Sequence, residues 1–571
     1  MSNPFSQTGA LKPGKSLQDL THSYVTTCDM GLLVPVMCQD VIPGDKFNIS
    51  AEIVVRFQPL VSPILHKVDA TIHYFFVPYR LLWEKWEDFY TGGEDGEDES
   101  EIPLYGDSIG TTPNDCSTRA GSLFDYLGFG LSQPTYNSQF QDVGQMNNEL
   151  KPNDFPRRAY YFIFNEYYRD QNLQKKYAFR EDHLLPNGLP KEKYRTWKEG
   201  TQVALTPEGV AYHTGICYRN WAKDYFTSSL PFVQRGTAPA FPISGQSFAD
   251  FSEMIEIRSS AAGPVRSTSY INNQPTIPIG YSYILRGDDV NDINAKDLKE
   301  ILTRNNTVDL NPNNTFTFNV NDLRTAVQLQ VWLERNARCG VRYTEFLRAH
   351  FGFSPKDERL QRPEYIGGIK TPIVISEVLQ TSSTDSVSPQ ANMSGHGLTA
   401  NSSRVGSYRV QEPGLIMAIM SVMPRPQYQN GINRQWLKRD KYSYYFREFA
   451  NLGEQAVHYN ELYSHFGPPQ VNREHGYVGR YDEYRYVPNQ ATGLMRLDAT
   501  QGGFNFWHLG RIFNTRPNLN ESFIQMHGDN PVYKRIFAVP TQPGLICFIG
   551  HHIRAFRPMP AIAVPGMMDH F

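Results

Sequence analysis

Apolar and polar residues alternate in two neighbouring stretches near the N-terminus of the chain. The odd positions of residues 47–57 are all apolar and most even positions are polar, and a period of two recurs over residues 68–76. Pro59 and Pro63 interrupt the chain between the two stretches. A period of two indicates a β-strand with one buried face, and proline ends strand pairing. The pattern therefore predicts two strands, and an antiparallel pair is their simplest arrangement.

Four later stretches also predict strands. They cover residues 373–379, 415–423, 477–487 and 545–556, and each is rich in apolar, aromatic or β-branched residues. The first stretch contains a β-branched run that predicts a buried strand, with Ile373, Val374, Ile375 and Val378. Strands near both ends of the chain must then pair across a long insert. Such non-local pairing favours a Greek-key or jelly-roll barrel.

Two helices are predicted between the strands. The Asn-Asp pair at residues 153–154 can cap a helix that is entered through Pro156, and aromatic residues then recur at three- and four-residue spacing. Asp322 similarly caps a second helix with a periodic apolar face. We expect this helix to stop near Gly340, with a resumption up to His350 as the alternative. Helices in the connections are compatible with an elaborated barrel.

Three segments lack a regular apolar period. Residues 237–320 are rich in Ser, Thr, Asn and Pro, which predicts an exposed, loop-rich insertion. Residues 1–24 and 557–571 are punctuated by Pro and Gly, and we expect an extended N-terminal arm and an extended C-terminal tail. Disorder would explain the composition of the tail, whereas docking on a neighbouring chain would explain its apolar residues.

The composition is that of a folded chain with ample material for a core. The chain has 571 residues, of which 40% are hydrophobic and 20% charged, with 34 Phe and 33 Tyr. Its length is typical of three or four domains, and one domain with large insertions is the alternative. The net charge of -3 argues against a protein dedicated to wrapping nucleic acid, because phosphate neutralisation needs an excess of Lys and Arg. A local basic face remains compatible with this charge.

Membrane-spanning and targeting segments are not apparent in the sequence. No apolar run approaches the roughly 20 residues that span a bilayer, and the N-terminus lacks the apolar stretch of a signal peptide. We therefore expect no membrane insertion, and synthesis and assembly in a cytoplasm. The six cysteines lie far apart without a C-x-x-C pair. This spacing argues against disulfides and a Cys-ligated zinc site, and it favours buried free thiols.

The motifs that could carry catalysis or bind metal are weak. Residues 106–110 match the G-x-S-x-G pattern of hydrolases around Ser108, but neither a strand before it nor a helix after it is credible, so a turn is favoured. An acidic cluster over residues 94–101 lacks the ligand order of a calcium loop and fits a solvated surface loop better. His551 and His552 would point to opposite faces of a strand. The sequence therefore predicts no enzyme, and no catalytic, cofactor-binding or metal-binding residue.

Basic and aromatic residues interleave in two segments. The first contains Arg157, Arg158, Tyr160 and Tyr161, and the second contains Arg480, Tyr481, Tyr484, Arg485 and Tyr486. Aromatic rings that stack on bases beside cationic side chains can hold a nucleic-acid single strand without reading its sequence. The alternative, which we favour, is that these rings are core or interface residues beside extended arginines. The sequence leaves the nucleic-acid-binding residues unknown.

Residues 359–381, RLQRPEYIGGIKTPIVISEVLQT, form a proline-punctuated loop, a glycine pair and a β-branched run. This segment closely resembles a hallmark segment of the major capsid proteins of the gokushoviruses, a group of microviruses that are small single-stranded DNA bacteriophages. Further segments are similar to the same family and run nearly from end to end: residues 23–93 with a gap, 160–174, 221–236, 423–436, 452–457 and 557–571.

The resemblance implies a mainly β fold, an eight-stranded antiparallel viral jelly-roll barrel. Residues 1–571 would form this single domain with long loop insertions that carry a few helices. About sixty copies would assemble into a T=1 icosahedral shell around a circular single-stranded DNA genome. Residues 237–320 would be the surface protrusion at the three-fold axes and would contribute to host attachment through a surface receptor.

The resemblance also implies partners and a location. The partners would be the genome on the inner surface, a small basic DNA-binding protein, a minor pilot protein and a scaffolding protein. The chain would reside in the virion after assembly in the cytoplasm of a host bacterium. Two alternatives stay open: a glycan-binding β-sandwich that stacks sugars on Trp83, Trp86 and tyrosines, and a hydrolase that uses Ser108.

Overall fold

The computed structural model describes residues 14–91, 93, 100–104, 120–129, 152–183, 191, 215–236, 320–339, 361–379, 393–464 and 474–561. The chain divides into two units, of which one comprises residues 1–233 and 339–571 and the other residues 234–338. The strands are β1 (Ser16–Asp19), β2 (His22–Cys28), β3 (Val34–Val41), β4 (Lys46–Phe57), β5 (Val68–Pro78), β6 (Glu364–Pro372), β7 (Val374–Leu379), β8 (Met393–Arg409), β9 (Gly414–Pro424), β10 (Glu454–His458), β11 (Glu474–Gly479) and β12 (Leu545–Arg557).

The strands form three antiparallel sheets, all in the first unit. A six-stranded sheet has the order β1, β12, β4, β8, β7, and β2 pairs with β12 as well. A four-stranded sheet has the order β3, β9, β5, β6, and a small sheet joins β10 to β11. The prediction of a mainly β, antiparallel fold is confirmed, and so is the prediction that strands from the two ends of the chain pair.

The main core lies between the two larger sheets. In β4 the odd positions are buried and in β12 the same holds from Leu545 to Ala555, while β5 and β9 contribute their even positions. Side chains alternate between the two faces of a strand, so each sheet presents one apolar face to the other. His551 on β12 accepts a hydrogen bond from the Tyr74 hydroxyl on β5 (2.6 Å) and thereby links the two sheets.

The four-stranded sheet is also covered on its outer face. There Phe75 and Val77 of β5 and Met417 and Ile419 of β9 pack in a second cluster with the helix α3. Burial on both faces explains why residues 415–423 are apolar at every position except Ser421, rather than alternating. The helices are α1 (Trp86–Thr91), α2 (Leu123–Tyr126), α3 (Phe155–Ile163), α4 (Val320–Cys339), α5 (Glu521–Ile524) and α6 (Pro531–Lys534).

The predicted helix after Pro156 is confirmed as α3, and one turn of π-helix (Phe164–Tyr168) extends it. Asp154 stands at its N-cap position, but its side chain caps no backbone N–H. Instead its carboxylate accepts hydrogen bonds from Arg157 Nε (2.6 Å) and Arg158 Nε (2.9 Å). The prediction that Asp154 caps the helix was therefore wrong, because its carboxylate is hydrogen-bonded to two buried guanidinium groups.

The second unit contributes one described element. Its helix α4 begins at Val320, so Asp322 lies inside the first turn rather than at the cap, and the helix ends at Cys339 as expected. The predicted loop-rich insertion over residues 237–320 falls outside the described residues except for its last position. The resumption up to His350 also lies outside them.

Three strand predictions need correction. β4 and β5 do not pair with each other, because β4 lies between β12 and β8 whereas β5 lies between β9 and β6. The stretch 477–487 is a strand only up to Gly479, after which a short 3-10 turn (Asp482–Tyr484) follows. Among residues 373–378, whose burial the structure describes, only Ile373 is buried, while Val374 and Val378 are 66% and 49% exposed on an edge strand.

The family-like segment 359–381 crosses from one sheet to the other. Its first strand, β6, pairs with β5 in the four-stranded sheet, and its second, β7, pairs with β8 in the six-stranded sheet. Gly367 lies where β6 passes β8, and a Cβ there would stand 2.5 Å from the Val405 carbonyl oxygen. The glycine pair thus permits a close approach of backbones at a corner of the core.

Both chain ends join the six-stranded sheet. β1 and β2, which belong to the predicted N-terminal arm and the residues after it, pair along one edge of β12. Arg557, the first residue of the predicted tail, is the last residue of β12, and its Nε lies 3.2 Å from the buried Asp45 carboxylate. Residues 562–571 lie outside the described part of the tail.

Candidate functional site

The described residues of the weak catalytic and metal motifs do not come together in a site. Ser108 and most of the acidic cluster 94–101 lie outside the described residues. His551 is buried and His552 is half exposed on the opposite face of β12, as the alternation predicted. Burial lowers the pKa of His551 to about 4. Among the described side chains, no group of three or more His, Cys, Asp or Glu is placed to share a metal ion.

The first basic and aromatic segment is a core element. Arg157, Arg158, Tyr160 and Tyr161 are at most 2% exposed, and both tyrosine hydroxyls donate to backbone carbonyl oxygens. These residues therefore cannot contact a nucleic acid. The favoured alternative from the sequence is confirmed for this segment.

Trp83 and Trp86 do not form a sugar-stacking surface either. Trp83 is buried, and the ring of Trp86 packs against Tyr79, Phe155 and Tyr90. Within the described ranges, no helix combines the length and the apolar character needed to cross a membrane. The described cysteines Cys28, Cys38, Cys217 and Cys547 are free thiols.

The second basic and aromatic segment forms part of an exposed surface that is both aromatic and basic. We call residues 434–449 together with residues 480–486 the aromatic–basic surface. Three short 3-10 turns, Arg434–Trp436, Lys441–Ser443 and Arg447–Phe449, present its rings to solvent. The rings that are between 44% and 74% exposed are Trp436, Tyr442, Tyr444, Tyr445, Phe446 and Tyr484.

Cationic side chains accompany these rings. Residues 434–449 contain five basic and two acidic residues, in a chain whose net charge is -3. The Lys438 ammonium lies 3.8 Å from the centre of the Tyr484 ring, and Lys441 lies 5.0 Å from that of Tyr442. Arg439 and Arg447 are exposed and form no ion pair with the described residues. The surface thus combines exposed π-faces with uncompensated positive charge.

A pocket lies next to this surface. It opens to solvent, and the space inside it is only about 20 Å³, which is room for about one water molecule. Its aromatic walls include Tyr225 and Tyr486, whose rings are parallel within 1° at a centroid distance of 6.3 Å. Arg434, Glu483 and Tyr486 belong to both the pocket and the aromatic–basic surface. The two features are therefore continuous.

Three oxygen atoms in the pocket are buried, and among the described residues they have no close hydrogen bond beyond the contact between Tyr225 and Glu461. They are the Tyr225 hydroxyl, Gln429 Oε1 and Glu461 Oε2, on residues that are at most 7% exposed. Burial raises the pKa of Glu461, although its other oxygen, Oε1, lies 2.8 Å from Arg434 Nη1. Burial also raises the pKa of Tyr225. Buried polar atoms without close partners are rare in folded proteins, and a space of this size suits one bound water molecule.

The pocket is rigidly built. The hydroxyl of its wall residue Tyr428 donates to Asp224 Oδ2 (2.7 Å), and Asp224 Oδ1 accepts the backbone N–H groups of Phe226 and Thr227. A Cβ at Gly431 would overlap the Glu461 carbonyl oxygen, so only glycine fits there. These contacts hold the walls in place without a ligand.

Sequence reasoning found part of this site and missed the rest. It singled out residues 480–486 but not residues 434–449, although six aromatic residues and five basic residues in that stretch are a readable signal. It missed Tyr225, Gln429 and Glu461, for which no local signal exists. These residues meet only because the segments around β10, β11 and residues 225–226 pack in one cluster.

Comparisons with known proteins place the whole chain in one family. The family described as Capsid protein (F protein) matches residues 7–567. The Capsid protein VP1 of Chlamydia phage 1 is 33% identical over 99% of this chain and 98% of its own length. The VP1 proteins of Bdellovibrio phage phiMH2K and Spiroplasma virus 4 are 28% and 25% identical, over 94% and 96% of this chain and 93% and 94% of their own lengths. The chain thus belongs to the microvirus capsid protein family, is gokushovirus-like, and is a structural component of a bacteriophage virion rather than an enzyme.

Proposed function

We propose that this chain is the major shell subunit of its phage, with a viral jelly roll as its core. The strand order supports this fold. If β2, β3, β4, β5, β6, β8, β9 and β12 are taken as eight successive core strands, the first, eighth, third and sixth form one sheet. The second, seventh, fourth and fifth form the other, in that order. Two four-stranded sheets connected in this way make the double Greek key of a jelly roll, with β1 and β7 as additional edge strands.

About sixty copies form a closed T=1 shell around a circular single-stranded DNA genome in this proposal. The observation that carries it is the match to capsid proteins over residues 7–567. Assembly needs exposed apolar surface, and the outer face of the six-stranded sheet supplies it. There Val25 (70% exposed) lies directly opposite Phe548 (38%), and Leu17 (54%) lies opposite Phe556 (41%).

Replacement of Val25 and Phe548 by Ser tests the role of this face. The double variant keeps the inner face of β2 and β12 intact, so we expect a folded subunit with the circular dichroism spectrum of the wild type. We expect it to form no particles in electron micrographs, because the interface loses its apolar anchors. Thr27→Ser on the same face is the matched control and should assemble. Normal particles from the double variant would contradict this interface.

The chain ends and the insertion have separate roles in the proposal. Residues 562–571 dock on a neighbouring subunit, and a chain that ends at residue 561 keeps Arg557 and its ion pair with Asp45. Such a truncation should fold but fail to form particles, and normal particles would refute the docking. Residues 237–320 form the surface protrusion at the three-fold axes and contribute to attachment to a host receptor. Unchanged adsorption of particles that carry a short linker instead would contradict this role.

The shell needs partners in this proposal. The net charge of -3 has the same sign as the phosphates of a genome, so a small basic companion protein or cations must balance them. A minor pilot protein and a scaffolding protein are the other partners of the shell in this proposal. Shells of this chain alone that package full-length DNA would contradict the need for a basic companion.

A further inference from the structure

The aromatic–basic surface has the composition of a protein–protein interface. Tyr, Trp, Phe and Arg are enriched at the centre of such interfaces. This surface exposes Trp436, Phe446, four tyrosines and three arginines. Residues 434–449 and 480–486 number 23 in all. One side of a standard interface uses about 20–30 residues, so this surface is large enough to form one.

Aliphatic side chains continue the surface beyond its rings. Ile432, Leu452 and Val487 flank it in the sequence, and all three are exposed. The bases of a nucleic acid stack on flat rings and gain little from aliphatic side chains, whereas a protein chain packs against both. A contiguous exposed apolar patch marks an interaction site. The surface therefore suits another protein chain better than a nucleic acid.

An acidic surface surrounds the helix α1 of the same chain. We call residues 84–91 together with residue 101 the α1 surface. Its exposed acidic residues are Glu84, Glu87, Asp88 and Glu101. Lys85 is its only basic residue, and residues 94–99 add five acidic residues and no basic one. The α1 surface is thus opposite in charge to residues 434–449, which contain five basic and two acidic residues.

Charges on both surfaces lack partners within the described part of the chain. Asp88 and Glu101 form no ion pair with the described residues, and the same holds for Arg439 and Arg447. The two surfaces are also different patches of the subunit. The rings of α1 pack in the cluster around α3, whereas Tyr486 packs in the cluster that includes β10 and β11. Each surface is therefore free to bind a separate molecule.

We propose that the aromatic–basic surface of one copy docks on the α1 surface of the next copy of this chain. The inference rests on the proposed function and deepens it, because it names two patches through which shell subunits meet. A contact between two different patches is heterologous, so successive copies follow head to tail and close into a ring. In the proposed shell, such a ring lies on a three-fold or a five-fold axis.

Charges and rings have separate roles in this contact. Opposite charges speed the encounter of two copies and fix their register, whereas buried aromatic rings supply most of the affinity. The α1 surface offers a ring of its own, since the exposed Tyr90 stacks on Trp86 at a centroid distance of 5.2 Å. Trp86 is held in turn by Tyr79 and Phe155. The next copy therefore meets a fixed aromatic platform with carboxylates around it.

Reversal of the charges tests the pairing of the two surfaces. The first variant, Arg439→Glu with Arg447→Glu, makes the aromatic–basic surface acidic, and the second, Asp88→Lys with Glu101→Lys, makes the α1 surface basic. Each should lower the yield of particles at least about tenfold, because like charges then face each other. The variant with all four changes restores opposite charges, and we expect its yield within about threefold of the wild type.

Lys67→Glu with Lys175→Glu is the matched control. It reverses two exposed charges outside both surfaces, so we expect no loss of particles. All the substituted residues are exposed, and circular dichroism checks that each variant is folded. Normal yields from the two separate reversals would overturn the inference. Failure of the folded variant with all four changes to assemble would overturn it as well.

Zero-length cross-linking tests the contact without any substitution. A carbodiimide joins an amine to a carboxylate only where the two groups touch, and Lys441 is an exposed amine of the aromatic–basic surface. Mixed isotope-labelled and unlabelled chains should yield peptides in which Lys441 of one chain is joined to a carboxylate of residues 84–101 of another. Links of this kind within single chains only, or their absence from assembled particles, would overturn the inference.

Sedimentation of the same samples separates this inference from the proposed function. Particles of the expected mass without these cross-links would overturn the contact and leave the shell intact. Cross-linked rings that never close into particles would support the contact and count against the shell. If the Arg439 and Arg447 reversals weaken binding of a labelled oligonucleotide without lowering the particle yield, the surface binds nucleic acid and the inference fails.

Discussion

His551 should make the folded subunit sensitive to acid. The Nε2–H group donates to the Val36 carbonyl oxygen (3.0 Å), because a carbonyl can only accept, and Nδ1 accepts from Tyr74. Both ring nitrogens are thus engaged in the neutral form, inside a core where His551 has no exposed surface. The neighbouring His22 and His552 add positive charge when they are protonated, which further opposes protonation of His551.

The magnitude follows from the pKa. Burial lowers the pKa of His551 from 6.5 to about 4, so the unfolded chain takes up a proton at a pH where the folded chain does not. The contribution of His551 to the free energy of unfolding is therefore fully present above pH 6.5 and is lost as the pH falls towards 4. One pKa unit corresponds to about 1.4 kcal/mol, which makes the contribution of this histidine about 3 kcal/mol.

His551→Gln isolates this contribution, because glutamine does not titrate. Urea unfolding at pH 7, 5.5 and 4 measures the free energy of unfolding of both proteins. Between pH 7 and pH 4, we expect this free energy to fall by about 3 kcal/mol more in the wild type than in the variant. His552→Gln, on the exposed face of the same strand, is the control and should keep the acid sensitivity of the wild type. Equal pH dependence in His551→Gln and the wild type would refute the reasoning.

Three further predictions concern stability and can be measured by chemical denaturation. Gly367→Ala should cost about 3 kcal/mol, because its Cβ would stand 2.5 Å from a carbonyl oxygen of β8, whereas Gly550→Ala has room and should be nearly neutral. Asp154→Asn should cost about 4 kcal/mol, since it leaves two buried arginines of α3 without their carboxylate. Tyr160→Phe should cost about 2 kcal/mol, since its hydroxyl bridges a carbonyl oxygen and an N–H group in the core. If any of these three substitutions lowers the free energy of unfolding by less than about 0.5 kcal/mol, the structural reason given for it is wrong.

The strands that the sequence predicted best are those whose signal is local. The alternation in β4 and β12 indicates a strand with one buried face, and the nearly continuous apolar run of β9 indicates a strand with two. Pairing partners are not local information. The strands next to β4 in sequence are β3 and β5, yet β4 pairs with β8 and β12, because β3 and β5 belong to the sheet on the other side of the core.

Burial and function were harder to predict for the same reason. The β-branched residues of β7 indicate a strand but not its position at the edge of a sheet, where Val374 and Val378 stay exposed. The arginines of α3 are charged in the sequence and buried in the fold, because Asp154 compensates them. The pocket joins Tyr225, Gln429 and Glu461 across more than 200 positions of the chain, so only tertiary structure reveals it.

The mass of the assembled particle tests the central claim most directly. A chain of 65.3 kDa that closes with about sixty copies gives a particle of about 4 MDa. We predict this mass for particles purified after the chain is produced together with the other proteins of its phage and the genome is removed. A species no larger than a small oligomer, or a closed particle with a clearly different copy number, would contradict the account.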